Sequence, residues 1–288
     1  MPPTSSATRQ PYLLAGEWEL DGLLGVGEWA RVYRARPANS PQQAPADYAI
    51  KIAHAPGSPH LAARLLQREA HISRTASHPH LISVLGARLH QPPYYLVTPY
   101  LQGASMREAL DYHGALPVEH ALWVTRQLAQ ALHALHRNGW SHADIKPNNV
   151  YVADTGHVTL LDLGLARKLK SPSRSEVWVG SPAYASPESF RSPPQYSEAG
   201  DIYSLGVLLF EMLTGTPPFS ATHHAEWAEA HHHQTPASLE LLAPNAGQRE
   251  AKLLEEMLAK EPEKRPPAAR LAAWLIELEM GGMHRRAA

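Results

Sequence analysis

The stretch "WSHADIKPNNVYV", residues 140–152, gathers polar side chains of several chemical types and then becomes apolar. It holds His142, Asp144, Lys146 and Asn149 within eight residues. A solvated loop requires no such order of residue types, and metal ligands more often alternate histidine and carboxylate on one helical face. The order therefore indicates chemistry, and the rest of the chain must identify which chemistry.

The composition excludes several classes of protein. With 288 residues and 44% apolar content, the chain can bury a large core and suits one two-lobed domain or two small ones. A formal net charge of −1 gives no electrostatic reason to expect nucleic acid or a membrane surface as a partner. Without cysteine, the chain has no disulfide framework, thiolate zinc site or cysteine nucleophile.

Two segments bear on localisation. The start, "MPPTSSATRQPY", lacks the apolar core of a signal peptide. The most apolar segment, "DIYSLGVLLFEMLTG" at residues 201–215, is too short to span a bilayer and is typical of a buried helix. We therefore expect a cytoplasmic protein that does not insert into a membrane.

The histidine-rich segment "HHAEWAEAHHH", residues 223–233, raises the question of a metal site. A metal site there is conceivable, but no carboxylate–histidine spacing recurs. A polar, solvated helix or loop is the favoured interpretation.

Periodicity predicts an α+β fold. After a flexible Pro/Ser/Thr-rich tail at residues 1–17, residues 18–36 alternate and break on glycines, which predicts two strands joined by a turn. A further short strand follows at residues 48–53, and a helix runs from residue 58 to a stop at residues 78–79. The part after residue 117 is mainly helical, with one helix ending at residues 138–139 and a hairpin within residues 149–164.

The glycine stretch "GVGEWA", residues 25–30, nearly matches a dinucleotide-binding fingerprint, and Asp47 lies twenty residues after Gly27. That fingerprint requires a helix directly after the glycines. Here the following "RVYRARP" alternates and ends on Pro37, so a strand follows and the dinucleotide interpretation fails. A glycine-rich turn between strands can instead cover a triphosphate, although an ordinary hairpin turn explains this stretch alone equally well.

Taken in order along the chain, four motifs resemble those of the protein kinase family: "YAIK", "QREAHI", the stretch at residues 140–152, and "LLDLG". In that family a strand lysine holds the α- and β-phosphates of ATP and pairs with a helix glutamate. The catalytic-loop aspartate orients the substrate hydroxyl, and an asparagine and a second aspartate bind Mg²⁺. The resemblance implies these roles, in that order, for Lys51, Glu69, Asp144, Asn149 and Asp162.

The resemblance covers residues 18–278 and implies a bilobal fold. We expect an ATP-binding lobe of a small antiparallel sheet and one helix at residues 18–98, a larger mainly helical catalytic lobe at residues 99–278, and a tail at residues 279–288. "GSPAYASPE", residues 180–188, resembles the end of an activation segment. Asp201 matches the aspartate of the central helix in the large lobe, and Arg265 is the expected partner of Glu188.

Register against the family implies further ATP contacts. They include the glycine-rich turn, the roof and floor of the adenine pocket, the gatekeeper and the hinge, where the carbonyl of a proline can still accept a hydrogen bond. These residues are Leu24, Gly25, Val26, Gly27, Val32, Ala49, Thr98, Pro99, Leu101 and Tyr151.

The acceptor is implied by Lys146, which we take as a second catalytic residue, and by Ser181. Both resemble the serine/threonine-specific branch, and "DIKPNN" is similar to bacterial members of it. The resemblance thus implies a serine/threonine protein kinase that uses ATP and Mg²⁺ and acts on protein substrates, not on nucleic acid.

Departures from the family pattern occur at Ala30, Ser73, Ala143, Leu163 and Ser186. Ser73 places a hydroxyl where the packing between family elements uses hydrocarbon, unless Ile72 takes that place. Ala143 replaces an arginine that contacts a phosphate on the activation segment. We therefore expect that phosphorylation of this segment is not required for activity.

Two alternatives stay open. Small-molecule kinases of the aminoglycoside type have a related fold and also carry a small residue between histidine and aspartate, as in "HAD". Lys146, Asp201 and the pair Glu188 and Arg265 speak for a protein substrate instead. A pseudokinase scaffold would have lost a chemical residue, and none is lost here.

Overall fold

The computed structural model describes residues 13–41, 43–55, 57–169 and 180–287, the last six without their side chains. The chain divides into two compact units. The first comprises the chain up to Ala70 together with Ser83–Tyr100, and the second comprises His71–Ile82 and the chain from Leu101 onward.

The first unit is built on an antiparallel sheet that has six strands in its described part. Alternating side chains give it a buried face that includes Leu20, Ala35, Ile50 and Val97, because successive residues of a strand point to opposite faces. The strands predicted around the glycine-rich turn and at residues 48–53 are confirmed. The strands of the sheet are β1 (Leu13–Ala15), β2 (Trp18–Val26), β3 (Ala30–Pro37), β4 (Tyr48–Ala53), β5 (Gly86–Arg88) and β6 (Tyr95–Pro99). Their order in the sheet is β1-β2-β3-β4-β6-β5.

Strand β1 corrects the expected tail at residues 1–17. Leu13 pairs with Leu20 and Ala15 with Trp18, and the turn between the strands contains Gly16 at φ +63°. The apolar pair of residues before Ala15 was hidden in a Pro/Ser-rich context. The rest of the predicted tail, residues 1–12, lies outside the described residues.

The predicted first helix is confirmed as α1 (Pro59–Thr75). Leu66 and Ala70 of α1 pack against Leu96 of β6 within the first unit. The last turn of α1 belongs to the second unit, where Ile72 and Ala76 join its main core together with Leu81.

In the second unit, helices pack around a central helix, α4 (Glu198–Thr214). The predicted buried helix is confirmed there: Ser197 caps its start through the Gly200 N–H at 3.0 Å, and Gly215 ends it at φ +81°. The helices of this unit are α2 (Met106–His113), α3 (Val118–Arg137), α4 (Glu198–Thr214), α5 (His224–His233), α6 (Leu239–Leu242), α7 (Gln248–Met257) and α8 (Ala268–Ala287).

Helix α8 corrects the expected tail at residues 279–288. It continues to Ala287 because Leu278 is buried and Glu279 pairs with Arg126 of α3, whose Nε lies 2.9 and 3.0 Å from the two carboxylate oxygens. Among the described residues, no helix is long and apolar enough to cross a membrane.

Short strands hold the loop at residues 142–149. The predicted hairpin is confirmed by β9 (Val150–Val152), which pairs with β10 (Val158–Leu160) and with β7 (Ala104–Ser105). A second small sheet joins β8 (Trp140–Ser141) to β11 (Arg167–Lys168). The apolar run after the polar residues therefore anchors the loop, because Val150 is fully buried.

Candidate active site

In the first unit, Lys51 of β4 and Glu69 of α1 form an ion pair with an N–O distance of 2.7 Å. Glu69 is almost fully buried, so the pair fixes where the lysine ammonium lies. A buried carboxylate without a cation would be costly. The structure thus brings together the two residues that the sequence singled out for phosphate binding.

The glycine-rich turn leaves an apolar surface uncovered. Leu24 and Val26 of β2 are 46% and 67% exposed, and a bulge between Leu23 and Gly25 shifts the register against β3. Among the described residues, apart from its chain neighbours, no heavy atom lies within 4 Å of a Cβ built at Gly25. Exposed large apolar side chains beside an open backbone are suited to a flat apolar ligand.

Other predicted adenine contacts of the first unit lie on neighbouring strands. Val32 of β3 pairs with Lys51, and Ala49 of β4 pairs with Thr98 of β6. The Thr98 hydroxyl donates to Ala49 O at 3.4 Å, and Pro99 ends β6. The Gly27 N–H donates to Ala30 O at 2.8 Å, and Ala30 opens β3, so the missing third glycine does not interrupt the strand.

In the second unit, Tyr151 of β9 fixes the segment at residues 101–103. Its hydroxyl lies 3.1 Å from Leu101 O and 2.8 Å from Gly103 O. Gly103 has φ +137°, and a Cβ there would overlap Val152 O. The tyrosine, which replaces a smaller aliphatic residue of the family, therefore adds hydrogen bonds that an aliphatic side chain could not make.

The carboxylate of Asp144 is the centre of the catalytic loop. Its Oδ1 accepts the Ser181 hydroxyl at 2.9 Å, and its Oδ2 lies 2.8 Å from Lys146 Nζ and 2.9 Å from Asn149 Nδ2. Lys146 Nζ also donates to the Ser181 hydroxyl at 2.9 Å. The loop therefore presents a carboxylate oxygen that already accepts a side-chain hydroxyl, next to the ammonium group of Lys146.

Asp201 of α4 holds the backbone of this loop. Its carboxylate accepts the backbone N–H groups of His142 at 2.8 Å and Ala143 at 2.9 Å, and it lies 2.8 Å from His136 Nε2. Ala143 has φ +63°, a left-handed conformation that disfavours non-glycine residues by about 1–2 kcal/mol. Burial alone would raise the pKa of Asp201, but the hydrogen bond and charge of His136 bring this pKa below its usual range. The ionised carboxylate thus stabilises the strained turn.

His142 links the loop to the segment before Asp162. Its Nδ1 accepts the Asp144 N–H at 3.3 Å, and its Nε2 donates to Leu161 O at 3.0 Å. This pair of contacts fits the neutral imidazole with the proton on Nε2. Sequence reasoning missed this bridging role because the histidine was grouped with the chemical residues of its motif.

Asn149 and Asp162 are held on adjacent segments. The Leu161 N–H donates to Asn149 O at 2.8 Å, and Asp162 has φ +59° with its Oδ1 accepting the Gly164 N–H at 3.2 Å. Asn149 Nδ2 donates to Asp144, so the side-chain oxygen of Asn149 points away from Asp144. Oxygen donors from a carboxylate and an amide are the ligands that Mg²⁺ prefers, so these two residues fit a magnesium site.

The remaining departures are accommodated by packing. Ile72 is fully buried, whereas the Ser73 hydroxyl donates to Ile82 O at 3.4 Å, so Ile72 takes the apolar place. Leu163 is fully buried in the main core. Ser186 is nearly buried, and its carbonyl accepts the Ser189 hydroxyl at 2.6 Å.

Glu188 and Arg265 form the ion pair that the sequence led us to expect. The N–O distances are 2.7 and 2.9 Å, and the guanidinium is fully buried. It also donates to the carbonyl oxygens of Ala199, Ala259 and Lys260. Every donor group of the guanidinium is thus satisfied, which a buried charge requires.

Helix α5 is the largely exposed helix that the histidine-rich segment led us to expect, with His231 as a buried exception. His231 is fully buried, and its ring nitrogens lie 3.0 Å from the Tyr203 hydroxyl and 2.9 Å from Pro182 O. Burial lowers the pKa of His231 to about 4. The neutral imidazole therefore ties α5 to the end of the activation segment, a contact that composition cannot reveal.

Sequence reasoning also missed a second polar network near Pro182. Glu211 of α4 accepts a hydrogen bond from Arg107 at 2.8 Å and from the Tyr184 hydroxyl at 2.7 Å. Burial and the contact with Glu211 raise the pKa of the Tyr184 phenol. The only signal was a carboxylate within the otherwise apolar C-terminal part of the helix.

The chain is similar to known proteins over most of its length. A model of the protein kinase domain matches residues 18–274. The serine/threonine-protein kinase PknB of Mycobacterium leprae is 30% identical over 281 residues, covering 94% of this chain and 44% of that protein. The serine/threonine-protein kinase PkaA of Streptomyces coelicolor is 31% identical over 295 residues, covering 96% of this chain and 52% of that protein. The chain thus spans about half the length of these relatives.

Proposed function

The chain belongs to the protein kinase domain family, and from this membership we propose that it transfers the γ-phosphate of ATP to serine and threonine hydroxyls of proteins. The observation that carries the proposal is the contact set of Asp144, whose carboxylate accepts a serine hydroxyl beside Lys146 and Asn149. The relatives are named as serine/threonine-protein kinases, which supports the same acceptor.

The proposed mechanism needs positioning more than covalent chemistry, because the transferring phosphoryl group passes through a loose transition state. Asp144 accepts the hydrogen bond of the incoming hydroxyl and takes its proton as the new bond forms. Lys146 places a positive charge beside the same carboxylate, where negative charge develops on the transferred group.

In the first unit, Lys51, which Glu69 holds in place, is assigned to the phosphates of ATP. The apolar residues named above are assigned to the adenine ring. Asn149 and Asp162 would hold Mg²⁺, which neutralises charge on the phosphate oxygens when bound. We keep the assignment of residues 18–98 to ATP binding and residues 99–278 to catalysis as a proposal.

The acceptor is tested by phosphoamino acid analysis. Protein incubated with radiolabelled ATP and Mg²⁺, then hydrolysed, should yield phosphoserine or phosphothreonine and not phosphotyrosine. The expectation rests on Lys146 and Ser181, which resemble the serine/threonine-specific branch and lie 2.8 and 2.9 Å from the Asp144 carboxylate. Predominant phosphotyrosine would refute it, and transfer to aminoglycosides but not to a generic protein would favour the small-molecule alternative.

Tyr151→Phe is expected to raise the KM for ATP roughly three- to tenfold, because a net hydrogen bond contributes about 1 kcal/mol. The loss of the bonds to Leu101 O and Gly103 O loosens the segment proposed to bind adenine. The kcat should change little, since these two contacts of the tyrosine hydroxyl lie at residues 101–103 and not at residues 142–149. Initial rates against ATP concentration measure both constants, with Tyr112→Phe, a highly exposed tyrosine, as the matched control. A fall in kcat with unchanged KM would contradict the assignment.

Phosphorylation of the activation segment is expected to be dispensable. Replacing Ser171, Ser173 and Ser175 together by alanine should lower transfer to an added substrate by less than about tenfold, or 1.4 kcal/mol in the barrier. The reason is that Ala143 has no charged group to contact a phosphate. These serines lie outside the described residues. A larger loss, also seen after phosphatase treatment, would show that another cation has replaced the arginine.

A further inference from the structure

A histidine-lined cleft of about 590 Å³ opens on the second unit. It shares no lining residue with the catalytic loop. One wall is the segment after α1, a second is the C-terminal half of α3, and small side chains of α8 form the third. The polar groups that line it are His78, His80, Gln130, His133 and Arg137.

The imidazoles are held by the fold. His80 Nδ1 lies 2.8 Å from Val158 O, and the His80 N–H donates to His78 Nδ1 at 3.2 Å. The ring of His157 lies 4.7 Å from that of His80, and its Nε2 is 3.0 Å from Pro79 O. These contacts use the Nδ1 atoms of His78 and His80. The Nε2 atoms of both rings take no part in them.

The charges around these rings have one sign. Burial lowers the pKa of His78, and the charge of His133 lowers it further. Burial likewise lowers the pKa of His80, the hydrogen bond to Val158 O opposes this shift, and smaller contributions from His157, His78 and Arg126 lower the pKa further.

Basic side chains therefore face the rings from their own segment, from α3 and from the hairpin. The carboxylate of α8 on this side, Glu279, is already paired with Arg126.

Two α3 side chains of the cleft have unused donors. Within the described part of the chain, His133 and Arg137 make no side-chain hydrogen bond or ion pair. Both lie one helical turn apart on the face that lines the cleft. A guanidinium matches the oxygens of a phosphate in bidentate geometry.

We propose that this cleft binds a phosphate group, and that binding is coupled to protonation of its histidines. Three imidazoles and a guanidinium offer more N–H donors than the two oxygens of a carboxylate can accept, whereas a phosphate offers three oxygens and up to two charges. A metal ion is the less suited ligand, because the described residues contain no group of three or more histidine or acidic side chains placed to hold one. The site is independent of the proposed kinase reaction.

Proton coupling sets the direction of the pH effect. A neutral imidazole offers at most one donor, whereas a protonated one offers two. An anion in the cleft favours the protonated rings, so binding takes up protons. The affinity for pyrophosphate, which stays a multiply charged anion over this range, should therefore rise as the pH falls from about 8 to about 6.

The test is calorimetric titration of the purified chain with pyrophosphate in the absence of Mg²⁺, at both pH values. His133→Gln and Arg137→Ala should each weaken binding roughly tenfold, the loss of one hydrogen bond to a charged group. His120→Gln, an exposed histidine on the same helix but outside the cleft, should leave it unchanged. Lys51→Met should also leave it unchanged, which separates the cleft from the ATP phosphates.

A second arm identifies the source of the phosphate. A phosphoserine peptide is titrated beside its unphosphorylated form and beside citrate. Preference for the phosphopeptide over pyrophosphate indicates a phosphorylated protein as the ligand, and the reverse preference indicates a free oligophosphate.

The proposal is overturned if neither pyrophosphate nor the phosphoserine peptide binds, or if binding is lost only in Lys51→Met. It is also overturned if citrate binds equally well or if binding does not depend on pH. Melting temperatures of the variants establish that they are folded.

Discussion

Asp144→Asn is expected to lower kcat for phosphotransfer by about 10²–10⁴-fold, the usual contribution of a positioned acid–base group. The amide can still accept hydrogen bonds from Lys146 and Asn149, so the loop should keep its shape. It cannot take the proton of the incoming hydroxyl. The measurement is the steady-state rate with ATP, Mg²⁺ and a generic protein substrate.

Asp154→Asn is the matched control, because Asp154 is an exposed carboxylate in the nearby hairpin turn. It should retain the unmodified rate. Lys51→Met should reduce transfer severely as well, with an unchanged melting temperature, since Lys51 is assigned to the phosphates of ATP. Near-normal turnover in Asp144→Asn would refute the assignment of that residue, whatever the result at Lys51.

Arg265→Ala is expected to lower the free energy of unfolding by about 3–5 kcal/mol, the usual cost of removing one partner of a buried ion pair. Within the described part of the chain, it leaves the buried Glu188 carboxylate with one long side-chain contact, 3.5 Å to the Ser197 hydroxyl. The carbonyl oxygens of Ala259 and Lys260 lose their donor at the same time. Urea unfolding followed by circular dichroism gives the value.

Glu188→Gln tests the same pair from the other side and should also destabilise strongly, since the guanidinium stays buried without a counter-charge. Arg249→Ala is the matched control, because Arg249 and Glu277 form an exposed pair at 3.9 Å. Exposed pairs contribute little. Equal effects of Arg249→Ala and Arg265→Ala would contradict the role given to burial.

The sequence alone predicted most elements of the fold and singled out residues for chemical roles. Lys51, Asp144, Asn149 and Asp162 were assigned those roles because their motifs, in order along the chain, resemble those of protein kinases. Helices and strands with strong periodicity were also predicted correctly, such as α4, whose apolar side chains allow no exposed face. Boundaries were less certain: β1 and the end of α8 lie in segments that the sequence assigned to tails.

Only the tertiary structure decided how the catalytic loop is held. Ser181 meets Asp144 across 37 residues, and Asp201 meets Ala143 across 58. Contacts at such separations leave no period in the sequence, so neither the hydroxyl on the catalytic carboxylate nor the left-handed turn could be predicted from local pattern. The same holds for His231, which composition placed in solvent and which packing buries. Residue type determined what chemistry the chain can do, whereas the burial of distant groups against one another determined where each charge is held.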